Sequence, residues 1–191
     1  MSAPDVIPTL IETERLLIRA VDPQYAVQMH EAVAESIDEL RPWMPWAQTL
    51  STLQEQQARM TDAAEIYARG EELQMLLFRR GDNALVGSSG LPRLDWEVPR
   101  FEIGYWRRTR FGGQGYVTEA VRAIADFAFR ELGALRVEIW ASSDNHASQR
   151  VAERAGFRRE AVLAQHRRDP SGTVADSVVF ARTLADNAAS C

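Results

Sequence analysis

Gly112, Gly113 and Gly115 fall within four positions of the stretch RRTRFGGQGYVTEA, residues 107–120, directly ahead of a segment with helical periodicity. A strand, a glycine loop and a helix start, in that order, can hold an anion. The first N–H groups of a helix have no internal partners, and the helix dipole adds positive potential at the same end. Glycines let the backbone come close to a phosphate. The candidate donors are the N–H groups of Gly113, Gln114, Gly115, Tyr116 and Val117. A bare strand-to-helix turn uses the same residues, so the glycines alone leave both readings open. The neighbours count against two phosphate motifs. A nucleotide-triphosphate loop ends in Gly-Lys-Ser/Thr, whereas Tyr116 and Val117 follow Gly115. The dinucleotide fingerprint needs a third glycine where Thr118 stands, and a parallel context that the preceding segments lack.

Other chemistries find little support. His30, His146 and His166 share no metal-ligand spacing, and the lone cysteine, Cys191, closes the chain, so no metal site is expected. The same shortage argues against Cys–His catalysis. Gly87-Ser88-Ser89-Gly90 is one residue short of a Gly-x-Ser-x-Gly elbow.

The elements that must position the loop alternate along the chain. Residues 15–21 read as a strand. Residues 22–36 read as a helix with Asp22 as cap and Pro23 in its first turn. Residues 37–50, with prolines and tryptophans interleaved, read as irregular. Residues 51–70 read as a helix capped by Ser51 and stopped by Gly70. Three strands follow, at 73–80, 84–94 and 100–106, with short turns that suggest an antiparallel meander. Residues 114–132 form an amphipathic helix with Val117, Val121, Ile124, Ala125 and Ala128 on one side. A strand at 134–142, a helix at 145–156 capped by Asn145, and two strands around the turn PSG complete an α+β chain with one central sheet. One domain spanning 1–191 is expected.

The composition bounds what such a domain can do. The 191 residues are 46% hydrophobic and 26% charged, as in ordinary globular chains. The net charge of −5 argues against a nucleic-acid partner, although Arg107, Arg108 and Arg110 form a local basic patch beside the glycines. No run approaches ~18 apolar residues, and the N-terminus lacks a secretory pattern, so no membrane partner is expected. A single cysteine fits a reducing compartment such as the cytoplasm.

Four separated features then line up in order: the acidic strand FEIGYW, the helix start GQGYVTEA, the helix start NHAS, and the closing AGF. Together they resemble the GCN5-related N-acetyltransferase superfamily (GNAT). The likeness is strongest to its branch of ribosomal-protein N-terminal acetyltransferases, the RimJ/RimL type, and it covers nearly the whole chain. The resemblance implies a mixed, mostly antiparallel twisted sheet flanked by helices and splayed between its fourth and fifth strands, with acetyl-CoA in the gap. It implies no metal. The loop would cradle the coenzyme pyrophosphate. The family motif usually opens with Gln or Arg; Gly112 and Val117 stand at the departing positions, and Arg110 is the expected substitute for the opening side chain.

The same resemblance distributes roles. Acetyl transfer to an amine needs a deprotonated amine, a polarised carbonyl and a protonated leaving thiol. An α-amine, with a pKa of about 7.7–8.0, is partly ready at neutral pH. Glu102 is the candidate base; strand alternation puts it on the face opposite Phe101, where a solvated carboxylate is the plain alternative. The backbone of Ile103, Gly104, Tyr105 and Trp106 would polarise the thioester and line the cofactor. Asn145 would hold the pantetheine amides, or merely cap its helix. Ser148 would lie near the sulfur and replace, as acid, a tyrosine that relatives carry where Ala152 stands here. Trp43 and Trp46 would wall the acceptor, or staple the core. The chemistry implied is direct acetyl transfer from acetyl-CoA to a primary amine, either a protein N-terminus or a small molecule. A non-catalytic acyl-CoA-binding module of the same fold is the competing class. A homodimer is expected by analogy alone.

Overall fold

The computed structural model describes residue 4 and residues 6–188. Cys191 lies outside the described residues. Eight strands form one sheet: β1 (Leu10–Glu12), β2 (Leu16–Ala20), β3 (Leu73–Arg79), β4 (Leu85–Asp95), β5 (Arg100–Arg107), β6 (Arg136–Ser142), β7 (Arg158–Arg168) and β8 (Val174–Thr183), in the order β1-β2-β3-β4-β5-β6-β8-β7. Every neighbouring pair is antiparallel except β5 and β6. That parallel pair is registered only at Arg100↔Arg136, Phe101↔Val137 and Glu102↔Glu138. Beyond Glu102 the two strands diverge, β5 staying with β4 and β6 with β8. The expected splay is therefore present. It falls between the fifth and sixth strands only because the short β1 was not anticipated.

Five helices pack on the sheet: α1 (Ala26–Leu40), α2 (Leu53–Ala68), α3 (Tyr116–Glu131), α4 (His146–Arg154) and α5 (Leu184–Ala188). Asp22 does cap the first helical segment, accepting from the Gln24 N–H at 2.8 Å, but Pro23–Tyr25 form a 3-10 turn before α1 begins. α1 also runs four residues past the expected stop at 36, so the irregular segment starts later than its sequence suggests. α2 is capped by Thr52 rather than Ser51. The Thr52 hydroxyl accepts from the Glu55 N–H at 3.2 Å while the Glu55 carboxylate accepts from the Thr52 N–H at 2.8 Å. This reciprocal capping box satisfies two otherwise unpaired donors. α5 was not anticipated.

The helices occupy both faces. Adjacent strand residues point to opposite sides. The Trp106 ring meets Trp46 in the α1–α2 connection, whereas Tyr105 reaches Ser148 on α4. α1 and α2 therefore cover one face, and α4 the other. α3 carries the widest apolar stripe and buries Val117, Val121, Ile124, Phe127 and Ala128 in the core with Phe101 and Ile103. Among the described residues no helix is long and apolar enough to cross a membrane.

Candidate active site at the strand fork

The glycine loop is built by backbone conformation. Gly113 and Gly115 have φ of +73° and +79°, in the left-handed region that side chains disfavour. Gly112 does not; its φ of −60° and ψ of 144° are ordinary extended backbone. The loop that needs glycine thus begins at Gly113, and Arg110 stands three residues before it. Gly112 has a different constraint, because a Cβ there would meet the Arg107 guanidinium at 3.0 Å. Among the described residues, the N–H groups of Gly113, Gln114, Gly115, Tyr116, Val117 and Thr118 donate to no protein oxygen, the first such bond being Glu119 N–H to Gly115 O at 3.0 Å. Six consecutive donors at the head of α3 form an anion-ready concavity.

Two braces hold it. On one side the Glu119 carboxylate accepts from Thr13 Oγ1 at 2.6 Å, Arg15 N at 3.0 Å and Arg15 Nε at 2.6 Å, and Arg15 Nη1 donates to the Gln114 carbonyl at 2.9 Å. On the other side the end of α1 grips residues 107–110. Glu35 accepts from Arg108 Nε at 2.8 Å and Arg110 Nε at 2.7 Å, Glu39 from Arg107 Nη2 at 2.9 Å, and Ser36 Oγ from Thr109 N at 3.0 Å. The Arg110 guanidinium, with Arg108 beside it, lowers the Glu35 pKa to about 2. The basic patch read from Arg107, Arg108 and Arg110 is therefore ion-paired by two carboxylates of α1. Arg110 in particular is clasped by Glu35 rather than reaching toward the loop.

At the fork itself, Arg108 N–H donates to Val86 O at 2.8 Å, toward β4. The two-residue strand period turns Trp106 and Gly104 the same way, leaving the N–H and C=O groups of Ile103 and Tyr105 facing the gap. Of the four β5 residues expected to serve through their backbone, two are so placed. Gly104 and Trp106 instead face the opposite cavity with their side-chain positions. Across the gap, Tyr105 Oη lies 2.9 Å from both the carbonyl and the hydroxyl oxygen of Ser148. Burial pushes the Tyr105 phenol up to about 12, so it stays protonated and able to donate. Asn145 does cap α4, accepting from the Ser148 N–H at 3.0 Å through Oδ1. Its amide nitrogen has no protein partner among the described residues and remains a donor. Ala152 is fully buried and takes no part.

Glu102 sits where β5 and β6 part, in a small cleft of about 140 Å³ with Glu138, Trp140 and Arg93. Burial raises its pKa, Arg93 at 3.1 Å opposes this, and Glu138 across the strand pair raises it further. The plain alternative, a freely solvated carboxylate, does not describe it. Glu102 and the Tyr105–Ser148 pair lie on opposite faces of β5, and Glu102 does not line the larger cavity that Trp46 borders.

A larger cavity of about 400 Å³ lies between α1, α2 and the β4–β5 floor. Trp46 lines it and packs on Trp106 with ring centroids 6.0 Å apart. Trp43 is not among its lining residues; Met44 takes that place. Met29, Gln56, Arg59, Met60 and Gln74 also line it, and none was singled out from sequence. His30 is half-buried with an unpartnered Nδ1. Among the described residues no group of three or more His, Cys, Asp or Glu could hold a metal ion.

Residues 15–158 match the family model described as an acetyltransferase (GNAT) domain. The chain belongs to the GNAT acetyltransferase family. A relative in Bacillus subtilis (strain 168), named "Putative ribosomal N-acetyltransferase YdaF", is 33% identical over 150 residues, which is 77% of this chain and 80% of that protein. The "Ribosomal-protein-serine acetyltransferase" of Escherichia coli (strain K12) is 24% identical over 157 residues, 82% of this chain and 87% of that one. Among solved structures, the coenzyme A complex of RimL, a ribosomal L7/L12 α-N-protein acetyltransferase, superposes with a TM-score of 0.85 at 24% identity. It covers 93% of this chain and 99% of its own. The microcin C7 self-immunity acetyltransferase MccE, in complex with acetyl-CoA and AMP, reaches the same TM-score at 19% identity, covering 94% and 99%. These two structural likenesses establish the fold. The family model and the 33%-identical relative make this GNAT chain an N-acetyltransferase.

Proposed function

We propose that this GNAT chain transfers an acetyl group from acetyl-CoA to a primary α-amine, with the acceptor in the cavity beside Trp46. The observation that carries the reading is the run of unpartnered N–H groups around Gly113 and Gly115, placed beside the unpaired edge of β5. Pyrophosphate oxygens fit such a concavity because each N–H supplies a short, oriented donor without a side chain in the way. Acetyl-CoA supplies the activated acetyl thioester and a good thiol leaving group. The chain's own residues do the rest. Asn145 donates to pantetheine amides through its free nitrogen. One of the N–H groups of Ile103 and Tyr105, which lie about 6.8 Å apart along the strand, polarises the thioester carbonyl, and the other is left to the pantetheine arm. Glu102, directly or through a water, takes the proton that the amine loses. Ser148, held by Tyr105, gives its hydroxyl proton to the leaving sulfur and is reprotonated from solvent. Arg110 contributes only if it exchanges Glu35 for a phosphate.

A protein N-terminus as acceptor is supported by the ribosomal-protein relatives named above. Work in the cytoplasm rests on the single cysteine and a homodimeric state on resemblance alone, and sedimentation of the purified protein tests the latter. The central test is calorimetric titration with acetyl-CoA at fixed salt, using ATP and NADH as controls, followed by thiol release in the presence of amines. Micromolar binding specific to acetyl-CoA and amine-dependent release support the reading. Absence of acetyl-CoA binding removes it. Binding without release, insensitive to replacing Glu102 and Ser148, leaves the non-catalytic module.

A further inference from the structure

The cavity between α1, α2 and β4–β5 has a composition that selects among amines. Met29, Met44 and Met60 line it together with Trp46 and Trp106. Methionine thioethers and indole rings present polarisable apolar surface that moulds to a bulky group. Two side chains break this pattern. Gln56 is only 8% exposed, lines the cavity, and its side chain has no hydrogen-bond partner among the described residues. Gln74 on β3 is likewise without a side-chain partner there and lines the same space. A carboxamide that opens onto a cavity can answer both a donor and an acceptor of whatever fills it. At the rim stand Arg59 and Glu72, both exposed and neither ion-paired among the described residues. Their charges are opposite, so the mouth favours neither an acidic nor a basic ligand.

We infer that this cavity takes an α-aminoacyl compound with a large apolar side chain and a neutral amide next to the amine, such as a peptide or amino-acid amide beginning with phenylalanine or leucine. The inference rests on the acetyltransferase reading and names its acceptor class. The apolar walls take the side chain. Gln56 and Gln74 answer the amide's N–H and C=O. The amine then lies toward Gly104–Trp106, where the cavity meets the strand that borders the gap. A volume of about 400 Å³ falls in the range of small-ligand pockets, about 300–1,000 Å³. A serine or alanine at the acceptor's first position leaves that space without partner atoms and forfeits the contacts.

The experiment compares thiol release for peptides identical except at their first residue, phenylalanine, leucine, serine, alanine, aspartate or lysine. Phenylalaninamide, phenethylamine and free phenylalanine serve as small acceptors. Phenylalanine- and leucine-initiated acceptors are expected to exceed serine and alanine by about 10- to 100-fold in kcat/KM. Phenylalaninamide should exceed phenethylamine by about tenfold, and Gln56→Leu should collapse that ratio, with acetyl-CoA affinity as the check on folding. Either source supports the assignment: a preference for peptides points to a protein N-terminus, a preference for phenylalaninamide to a small molecule. Equal or better turnover of serine or alanine peptides overturns it, as does an amide ratio unchanged by Gln56→Leu. If acetyl-CoA does not bind or no amine is acetylated, the acetyltransferase reading fails separately. Quenching of the Trp46–Trp106 emission by N-acetylphenylalaninamide then still tests the cavity, and no quenching counts against it.

Discussion

Gly113→Ala isolates the contribution of left-handed backbone to anion binding. Gly113 sits at a φ of +73°, and a Cβ built there meets nothing within 4 Å. Contact with neighbours therefore adds nothing. The whole cost is that of an L-residue in the left-handed region, about 1–2 kcal/mol. The chain can meet it in two ways. If alanine keeps the conformation, stability drops by about 1–2 kcal/mol, or roughly 2–8 °C in Tm for a domain of this size, and acetyl-CoA affinity is retained. If alanine relaxes to negative φ, stability is kept and the donors turn aside. The strain is then met on binding, and Kd rises by up to about tenfold per 1.4 kcal/mol. Calorimetric unfolding and acetyl-CoA titration of the same preparation measure both losses, which should sum to about 1–2 kcal/mol. D-alanine introduced by semisynthesis is relaxed at this φ and should restore both quantities. Unchanged Tm and unchanged Kd in Gly113→Ala would refute the reasoning, and so would a D-alanine variant as impaired as the L form.

Tyr105→Phe removes the hydroxyl that lies 2.9 Å from the Ser148 carbonyl and hydroxyl oxygens. It should lower kcat with KM for acetyl-CoA unchanged, and cost about 1 kcal/mol of stability; an unaltered kcat would reduce the contact to a tie between α4 and β5. Burial raises the Glu102 pKa, so the acid limb of kcat/KM should lie above the ordinary carboxylate range. Glu102→Gln should abolish that limb, and a limb that survives assigns it to another group. Glu35 has its pKa lowered to about 2, so the stability its arginine pairs contribute is present above the ordinary value of 4.5 and lost as pH falls through about 2. Glu35→Gln should therefore cost about 1 kcal/mol at pH 7 and flatten the acid loss in denaturant titrations, the figure kept small because the Arg110 side chain is 59% exposed.

What the sequence made legible follows from how local each signal is. The glycine loop was readable because positive φ favours glycine and the helix start follows directly. Even so, the sequence did not show that Gly112, unlike Gly113 and Gly115, is extended. The α4 start was readable because Asn145 caps within three residues. The fork was legible only through resemblance, since nothing in β5 or β6 alone reports that their pairing stops at Glu102 and Glu138. The acceptor cavity was the least visible part. Met29, Gln56 and Met60 sit in helices, where periodicity marks an inward face without saying whether it meets packed core or open space. Trp43 and Trp46 lie in an irregular segment with no period to separate them. Only the 3-10 turn at Pro45–Ala47 decides that Trp46 meets Trp106. The Tyr105–Ser148 contact joins residues 43 apart and has no local signature.

α1 serves two sites at once. Its Met29 and Val33 line the acceptor cavity, and within the next two turns Glu35, Ser36 and Glu39 grip the arginine-rich segment that leads into the glycine loop. A single helix thus borders both candidate sites. Any shift in its equilibrium position on filling one site alters the free energy of filling the other, and thermodynamic reciprocity makes the two effects equal. The affinity of each site is accordingly a property of this helix as much as of either pocket.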